Sequence, residues 1–470
     1  MHCQLTNLKT KLFCSCPSDY RGKEPNTTVC PTCLGIPGTL PRPNEKALED
    51  AIMVAIALSS HISNETTFYR KNYYYPDMSK NFQISQYDGG GGVPIATSGA
   101  ISVEADGTRV TTRIRRLQLE EDPAKLVHLG AIDTSPYTLV DYNRAGIALL
   151  EIVTEPDLKS PREARLFLQK LRSILEHLGV SDGSLEGAMR CDANISLAGG
   201  ARTEVKNISS FKEVERALSF EIMRQKSLLA RGLKVGQETR HWDEARRVTL
   251  TLRTKEEEQD YRYFPEPDLT PMQIQADTVE DIRRRMPELP DTRKERFTKQ
   301  YGLLPSSAEV LTSDKALADF FEKCVLLYKE ARQIGNWITS DLLRCLHSQG
   351  LEIGESKITP DNLTEMLRMI DWGQISGKIA KKILPEMVAT GSSPRDVARR
   401  HGLVRISERE ILETIVESIF QEFPEAVKDA SRDEKAIHYL VGQLMRKTEG
   451  KADPQLANRL IREKLQNRVQ

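Results

Sequence analysis

Arg115-Arg116-Leu117-Gln118-Leu119-Glu120-Glu121-Asp122 is the stretch that decides how the first half of this chain is read. It is strand-like, and it ends on three consecutive carboxylates among apolar neighbours. Further acids sit in the same kind of setting. Glu151 follows Leu149-Leu150, Glu155 precedes Pro156-Asp157, Asp192 lies within Met189–Asn194, and Glu204 lies within Arg202–Asn207. A lone carboxylate of this sort is usually one end of a salt bridge. Several converging from separate strands would repel one another unless a cation sat among them, and an all-oxygen site of that kind selects hard Mg²⁺, which bridges nucleotide phosphates. Spacing alone does not bring them together, so both readings stay open.

Strand signals continue outward in both directions. Ile101–Val103, Val110–Ile114, Asn194–Leu197 and Val248–Leu252 read as strands. Three amphipathic helices interrupt them: Asn44–Leu58, Ser160–Leu178, which opens on an N-cap serine followed by proline, and Phe211–Arg231. The predicted class is α+β, with an N-terminal cradle over residues 1–290 on a mostly antiparallel sheet. Pro265, Pro267 and Pro271, and then Met286-Pro287-Glu288-Leu289-Pro290, mark a hinge. A helical domain is expected over 291–404, with helices at 295–301, 313–330, 334–347, 362–371 and 376–390. A small helical tail is expected over 405–470, with helices at 408–422, 433–448 and 454–466.

Cys14-Ser15-Cys16 and Cys30-Pro31-Thr32-Cys33 place four of the chain's eight cysteines within twenty residues. Thiolates so spaced reach one tetrahedral zinc, and with no open position such a metal would be structural, an inserted knuckle over 14–33. The alternative is reduced, metal-free thiols. Zinc is preferred because the segment has few other residues to hold it folded and cytosolic disulfides are rare. Cys3, Cys191, Cys324 and Cys345 are isolated and read as small buried hydrophobes.

Basic residues are interleaved with the acids. Arg70, Lys71, Arg113, Arg115, Arg116, Lys125, Arg144, Arg190 and Lys206 could hold the phosphates of ATP, or could be ordinary surface charges. Neither GxxxxGK[ST] nor GxGxxG occurs, so P-loop and Rossmann chemistry lack support; GxSxG and HExxH are absent as well. Gly89-Gly90-Gly91-Gly92 has no following Lys-Ser/Thr and reads as a flexible hairpin tip. Lys plus Arg and Asp plus Glu each number 67, so bulk electrostatic coating of nucleic acid is disfavoured. No apolar run approaches the roughly 18–20 residues of a membrane span, and no signal peptide is evident, so cytoplasm is the expected location.

In this order the motifs resemble the B subunit of the bacterial and archaeal Glu/Asp-tRNA amidotransferases. The blocks that carry the resemblance include Cys30-Pro31-Thr32-Cys33-Leu34-Gly35, Arg70-Lys71-Asn72-Tyr73-Tyr74-Tyr75-Pro76-Asp77 and Gln83-Ile84-Ser85-Gln86-Tyr87-Asp88. They continue with Leu119-Glu120-Glu121-Asp122, Asp141-Tyr142-Asn143-Arg144-Ala145-Gly146 and Leu150-Glu151-Ile152-Val153-Thr154-Glu155-Pro156-Asp157. Later come Arg190-Cys191-Asp192-Ala193-Asn194, Asp260-Tyr261-Arg262-Tyr263-Phe264-Pro265, Gly373-Gln374-Ile375-Ser376-Gly377-Lys378 and Asp453-Pro454-Gln455-Leu456, so the likeness runs nearly end to end.

The resemblance implies an enzyme, a carbon–nitrogen ligase of the heterotrimeric kind. A glutaminase A subunit supplies ammonia through a channel, a small C subunit braces the pair, and ATP with Mg²⁺ activates the carboxylate of misacylated Glu-tRNA(Gln) or Asp-tRNA(Asn). It implies that His2, Glu120, Glu121, Glu151, Asp192 and Glu204 hold the metal and its phosphates, with Glu121, Glu151, Asp192 and Glu204 central to catalysis. Arg70, Lys71, Arg116, Arg144, Arg190 and Lys206 would steady phosphate or substrate. In the tail, Arg446, Lys447, Lys451, Arg459, Arg462 and Lys464 would touch tRNA, or else form a solvated helix face. The sequence departs from the family pattern in places. Gln118 stands where histidine is common, Ala148 where proline is usual, and the Gly-Leu-Glu expected ahead of His2 is not matched, which leaves one expected carboxylate absent. The related E subunit carries a large mid-chain insertion for which Pro265–Pro290 leaves no room. A non-catalytic zinc-knuckle RNA-binding protein is the rival of a different class.

Overall fold

The computed structural model describes residues 1–470 except 73–79, 129–135, 255–260, 404–408, 431–433, 449–451, 453 and 470. Two compact units divide between Arg293 and Lys294. The first is mixed α and β around a twelve-stranded sheet. Along its main path the strands are Val248–Thr254, Glu238–Asp243, Thr203–Ile208, Met189–Ile195, His2–Gln4, Ala148–Thr154, Thr108–Glu121, Phe82–Gln86, Phe68–Asn72 and Phe264–Pro265. Neighbours on this path are antiparallel except Thr203–Ile208 with Glu238–Asp243, which is parallel.

Alternation gives the sheet two unlike faces. Phe68, Ile84, Leu117, Leu119, Cys3, Leu150, Ile152, Ala193 and Val205 all point to one side and form the core. Helices Glu45–Ala57, Pro161–Leu178 and Phe211–Ala230 cover that side, contributing residues such as Ile52, Phe167, Leu171, Val214 and Ala217. Each fully buried aliphatic side chain there contributes about 1.5–3 kcal/mol. The N-cap expected at Ser160 is present, accepting from the Glu163 N–H at 3.2 Å; Asn44, accepting from the Ala47 N–H at 3.2 Å, and Ser210, accepting from the Glu213 N–H at 3.3 Å, cap the other two helices.

Two local expectations are corrected. The strand expected over 194–197 runs instead over Met189–Ile195, because Arg190, Asp192 and Asn194 occupy polar positions that mask its period. The four glycines are not a hairpin tip. They connect Phe82–Gln86 to Ala96–Ala105, which do not pair with each other: both lie along the same edge of Thr108–Glu121, at Glu120 and from Leu117 backwards respectively. The turn closes through Gly92 N–H to the Gly89 carbonyl at 2.9 Å, and a Cβ on Gly92 would collide with the Tyr87 carbonyl oxygen.

The second unit is helical among its described residues and holds two separate apolar clusters. One runs from Phe297 to Ala398, the other from Leu412 to Leu465. The helix expected over 313–330 is present as Lys315–Leu327, capped by Asp314, which accepts from Leu317 N–H at 2.7 Å, and a separate helix not expected from the sequence, Pro305–Thr312, precedes it. The helix expected over 334–347 continues from Ala331 to Gln349 through a π turn at Ile338–Leu342.

Glu221, fully buried under the sheet edge, ties Phe211–Ala230 to the last strands. Its carboxylate accepts from Arg224 Nη2 at 2.6 Å, Gln225 Nε2 at 2.9 Å and Thr249 Oγ1 at 2.9 Å. Burial pushes its pKa up, but these donors outweigh burial and hold it below the usual carboxylate value. A depressed carboxylate stabilises the fold above its unfolded pKa, and that stability is lost as pH falls through the lower folded value. Glu221→Ala should cost about 3 kcal/mol in urea unfolding at neutral pH, because it leaves the Thr249 hydroxyl donor unmet and Glu238 alone to pair both Arg240 and Arg224, and should flatten the loss of stability below about pH 4.

Candidate active site

The face opposite the helices is polar, and strand register decides which residues share it. His2 lies across from Glu151 on one side and Arg190 on the other, while Glu151 lies across from Gln118. Glu120 lies across from Ser85, and Glu204 across from Asn194 and Thr239. By alternation Lys71, Gln83, Arg116, Asp192 and Lys206 project from the same side.

Within this face His2 Nε2 lies 3.3 Å from Glu120 Oε1 and 3.6 Å from Glu151 Oε1. Ser85 Oγ donates to Glu120 Oε2 at 3.3 Å. Burial, with Glu151 adding repulsion, raises Glu120 to about 7. Burial and the cations Arg190, Lys71 and Lys206 push His2 well below its ordinary value, so the imidazole is neutral at pH 7. Two crowded carboxylates and a neutral imidazole make an environment that a hard divalent cation relieves. Nearby, Lys206 Nζ lies 3.4 Å from Asp192 Oδ2 and 3.7 Å from Glu204 Oε1, and Thr239 Oγ1 donates to Glu204 Oε2 at 3.2 Å. The acids therefore form two subgroups on one face.

Asp122, fully buried, is a junction the sequence reading left out of the site. Arg144 Nε lies 3.0 Å from its Oδ1, and Arg190 Nη2 lies 2.7 Å from its Oδ2. Arg116 Nη1 pairs with Asp88 at 2.7 Å. Around these pairs, Arg116 Nε, Arg190 Nε and the Gln118 side-chain amide nitrogen are buried without a hydrogen-bond partner among the described residues. Unmet buried donors are costly, and an anion on this face would satisfy them.

Glu121 and Arg70 are not on this face. Glu121, one residue beyond Glu120, points to the opposite side, where its Oε1 pairs with buried Lys80 at 2.5 Å and accepts from the Ile84 N–H at 2.9 Å. Arg70 is held bidentately by Glu266, both contacts at 2.7 Å, and its guanidinium lies over the Phe82 ring. Lys71, by contrast, lies over the Tyr261 ring, 4.8 Å from its centroid, on the polar side. Lys80 carries no periodic signal; only its place among buried neighbours reveals it.

The four knuckle cysteines converge. Their sulfurs all lie within 4.8 Å of one another, and among the described residues this is the group whose donor atoms meet that closely. Cys14 Sγ and Cys33 Sγ are 3.3 Å apart, Cys30 and Cys33 3.6 Å, close to the edge of about 3.8 Å implied by tetrahedral Zn–S bonds of about 2.3 Å. All four are free thiols, so the cluster could hold a metal ion. Hydrogen bonding from Cys14, aided by the Lys11 ammonium, holds Cys33 well below the usual thiol range, while the hydrogen bond with Cys33 pushes Cys14 up and burial pushes Cys16 up. Cys3, Cys324 and Cys345 are buried and Cys191 half-buried.

In the tail, Arg446, Arg459 and Arg462 are exposed. Lys447 donates to Ser418 Oγ at 2.8 Å and pairs with Glu422; Lys464 donates to the Glu413 carbonyl at 3.2 Å and pairs with Glu417. Lys451 lies outside the described residues, as does Tyr73–Asp77 of the Arg70 block. No helix among the described residues is long and apolar enough to cross a membrane.

The fold thus presents a polar sheet face of clustered acids and cationic donors, beside a four-cysteine knuckle that could hold a metal ion. Residues 1–280 match the GatB/GatE catalytic domain family, and residues 319–465 match the GatB domain. The B subunit of the aspartyl/glutamyl-tRNA(Asn/Gln) amidotransferase of Sulfolobus acidocaldarius is 52% identical, over 99% of this chain and 98% of its own length. The B subunits of the same name from Saccharolobus solfataricus and Thermotoga maritima are 51% and 48% identical, each over 99% of this chain and 98% of their own. The chain belongs to the GatB/GatE family.

Replacing Lys80 by methionine should strand the buried Glu121 carboxylate and cost about 3 kcal/mol in thermal or urea unfolding. The double variant Lys80→Met/Glu121→Gln should recover most of that loss, as a buried pair deleted together does.

Proposed function

We propose that this chain is the carboxylate-activating, tRNA-binding subunit of a tRNA-dependent amidotransferase, a ligase of protein synthesis working in the cytoplasm. The observation that carries this is the polar sheet face, where His2, Glu120, Glu151, Asp192 and Glu204 share one side with the unmet donors of Arg116, Gln118 and Arg190. End-to-end similarity to subunits named for this activity supports it.

In this reading the chain's partners are a glutaminase A subunit, a small C subunit and a misacylated tRNA carrying Glu or Asp. A carboxylate at neutral pH is a poor electrophile. Its oxygen attacks the γ-phosphorus of ATP, and the bond to ADP breaks as the new phosphorus–oxygen bond forms. Ammonia delivered through an inter-subunit channel then attacks the acyl carbon, phosphate leaves with the bonding electrons, and proton loss leaves the amide of Gln-tRNA(Gln) or Asn-tRNA(Asn). Mg²⁺ held by His2, Glu120 and Glu151, with Asp192 and Glu204 beside it, would neutralise phosphate charge. Arg116, Arg144, Arg190, Lys71 and Lys206 orient the phosphates. Glu121 and Arg70 act by holding the sheet edge against Lys80 and Glu266, not by touching the metal. Zinc in the knuckle is structural, and the remainder divides into a helical domain over 291–404 and a tRNA-binding tail over 405–470, with Arg446, Arg459 and Arg462 presented to the tRNA backbone.

In a complex reconstituted with A and C subunits, ATP hydrolysis should be stimulated by misacylated tRNA. Asp192→Ala and Glu120→Ala should each lower amidation more than about 100-fold while tRNA binding stays near normal; retained turnover would remove those residues from the site. Truncation of 405–470 should weaken tRNA binding and flatten its salt dependence, since fewer phosphates are neutralised. Unchanged affinity in filter binding would reject the tail's role.

A further inference from the structure

Lys11 is a buried cation in an unusual setting. Its side chain is among the largest fully buried ones, with no exposure. Its ammonium donates to the Thr28 carbonyl at 2.8 Å, to Cys33 Sγ at 3.5 Å and to the Tyr142 carbonyl at 3.4 Å. None of its partners among the described residues is a carboxylate. A buried ammonium without a carboxylate partner is expensive, and the thiolate sulfur it reaches, Cys33 Sγ, is where balancing negative charge sits closest. A divalent ion held by four thiolates is itself a net dianion, equally costly to bury without a cation. Each makes the other tolerable.

The same side chain bridges the knuckle to the loop Asp141–Gly146, and it is not alone. Thr28 N–H donates to Asn143 Oδ1 at 2.8 Å, and Asn143 Nδ2 donates to the Glu24 carbonyl at 2.7 Å. Asn26 N–H donates to Asp141 Oδ1 at 3.1 Å, while Tyr142 N–H donates to Asn26 Oδ1 at 2.8 Å. Cys33, Ala124 and Ala145 form one small apolar cluster, with Cys14, Cys16 and Cys30 packed against it. Beyond this seam the loop carries Arg144, whose Nε lies 3.0 Å from buried Asp122, and Gly146 N–H donates to the Asp122 carbonyl at 2.9 Å. Gly146 also has φ +81°, and a Cβ there would lie 3.4 Å from Lys11 Cδ, so the loop follows the lysine stem closely.

We propose that Lys11 is the counter-charge of the metal-loaded knuckle and the strut through which the loaded knuckle places Arg144 against Asp122 on the active face. Lys11 is thus a positioning residue, acting through the loop rather than on substrate. The inference rests on the zinc reading of the cysteines.

The test uses the full-length chain. Zinc content of the purified protein comes first: a protein that neither contains nor takes up zinc overturns the zinc reading itself. Zn²⁺ release to a chromogenic chelator should then be about tenfold or more faster in Lys11→Met than in wild type or in Lys9→Met, which removes an exposed charge nearby. Release at the wild-type rate overturns the counter-charge role alone. Hydrogen exchange reads the strut without any substitution. Chelation of wild type should raise exchange across residues 141–147 and leave the Thr203–Ile208 strand unchanged, and Asn143→Ala should raise loop exchange with its zinc retained. A loop whose protection is indifferent to metal removal overturns the strut. Because this measurement needs only wild-type protein, a Lys11→Met variant that fails to fold does not remove the test.

Discussion

Three residues hold the catalytic unit together. His2–Gln4 pairs with Ala148–Thr154 on one side and Met189–Ile195 on the other, and along the main path of the sheet it is the link between the two halves. Its hydrogen bonds set the register on both sides at once. A slip of one residue would turn Cys3 out of the core and His2 into it, reversing both faces. Because His2 sits across from Glu151 and Arg190, this same pairing brings together acids and bases separated by more than a hundred residues of chain.

On that frame the two faces follow different physics. The helix-covered face is stabilised by apolar burial and tolerates charge only in closed pairs, such as Lys80 with Glu121 and the Glu221 network. The open face keeps its charges incompletely matched. Glu120 titrates near neutrality under burial and the repulsion of Glu151, while Arg190 and Arg116 retain unmet Nε–H groups. Such an arrangement is unfavourable for the protein by itself and favourable for a bound cation and anion together. Adjacent residues of one strand, Glu120 and Glu121, thereby point to opposite faces: one lies beside His2 on the polar side, the other pairs with Lys80.

The knuckle extends this division. It lacks a large core of its own, and its hydrogen bonds run outward through Asn26, Thr28 and Lys11 to the Asp141–Gly146 loop. A metal there would stiffen a segment whose far end contributes Arg144. In the helical unit the two apolar clusters are separate, so its terminal helices have their own packing.

Much of this was legible in the linear chain. The Ser160 cap is a local hydrogen bond, fixed by side-chain type and position, and the cysteine spacing was enough to suggest a shared ligand. Motif order pointed to the family. The sequence could not reveal which of two neighbouring glutamates enters the site, that Arg70 turns away from it, or that Asp122 joins Arg144 to Arg190. Nor could it show that the four glycines step along one strand instead of closing a hairpin. Those outcomes depend on long-range register and on which face the helices cover, and only the folded sheet decides them, because a side chain's partner across a strand is chosen by pairing and not by its neighbours in sequence.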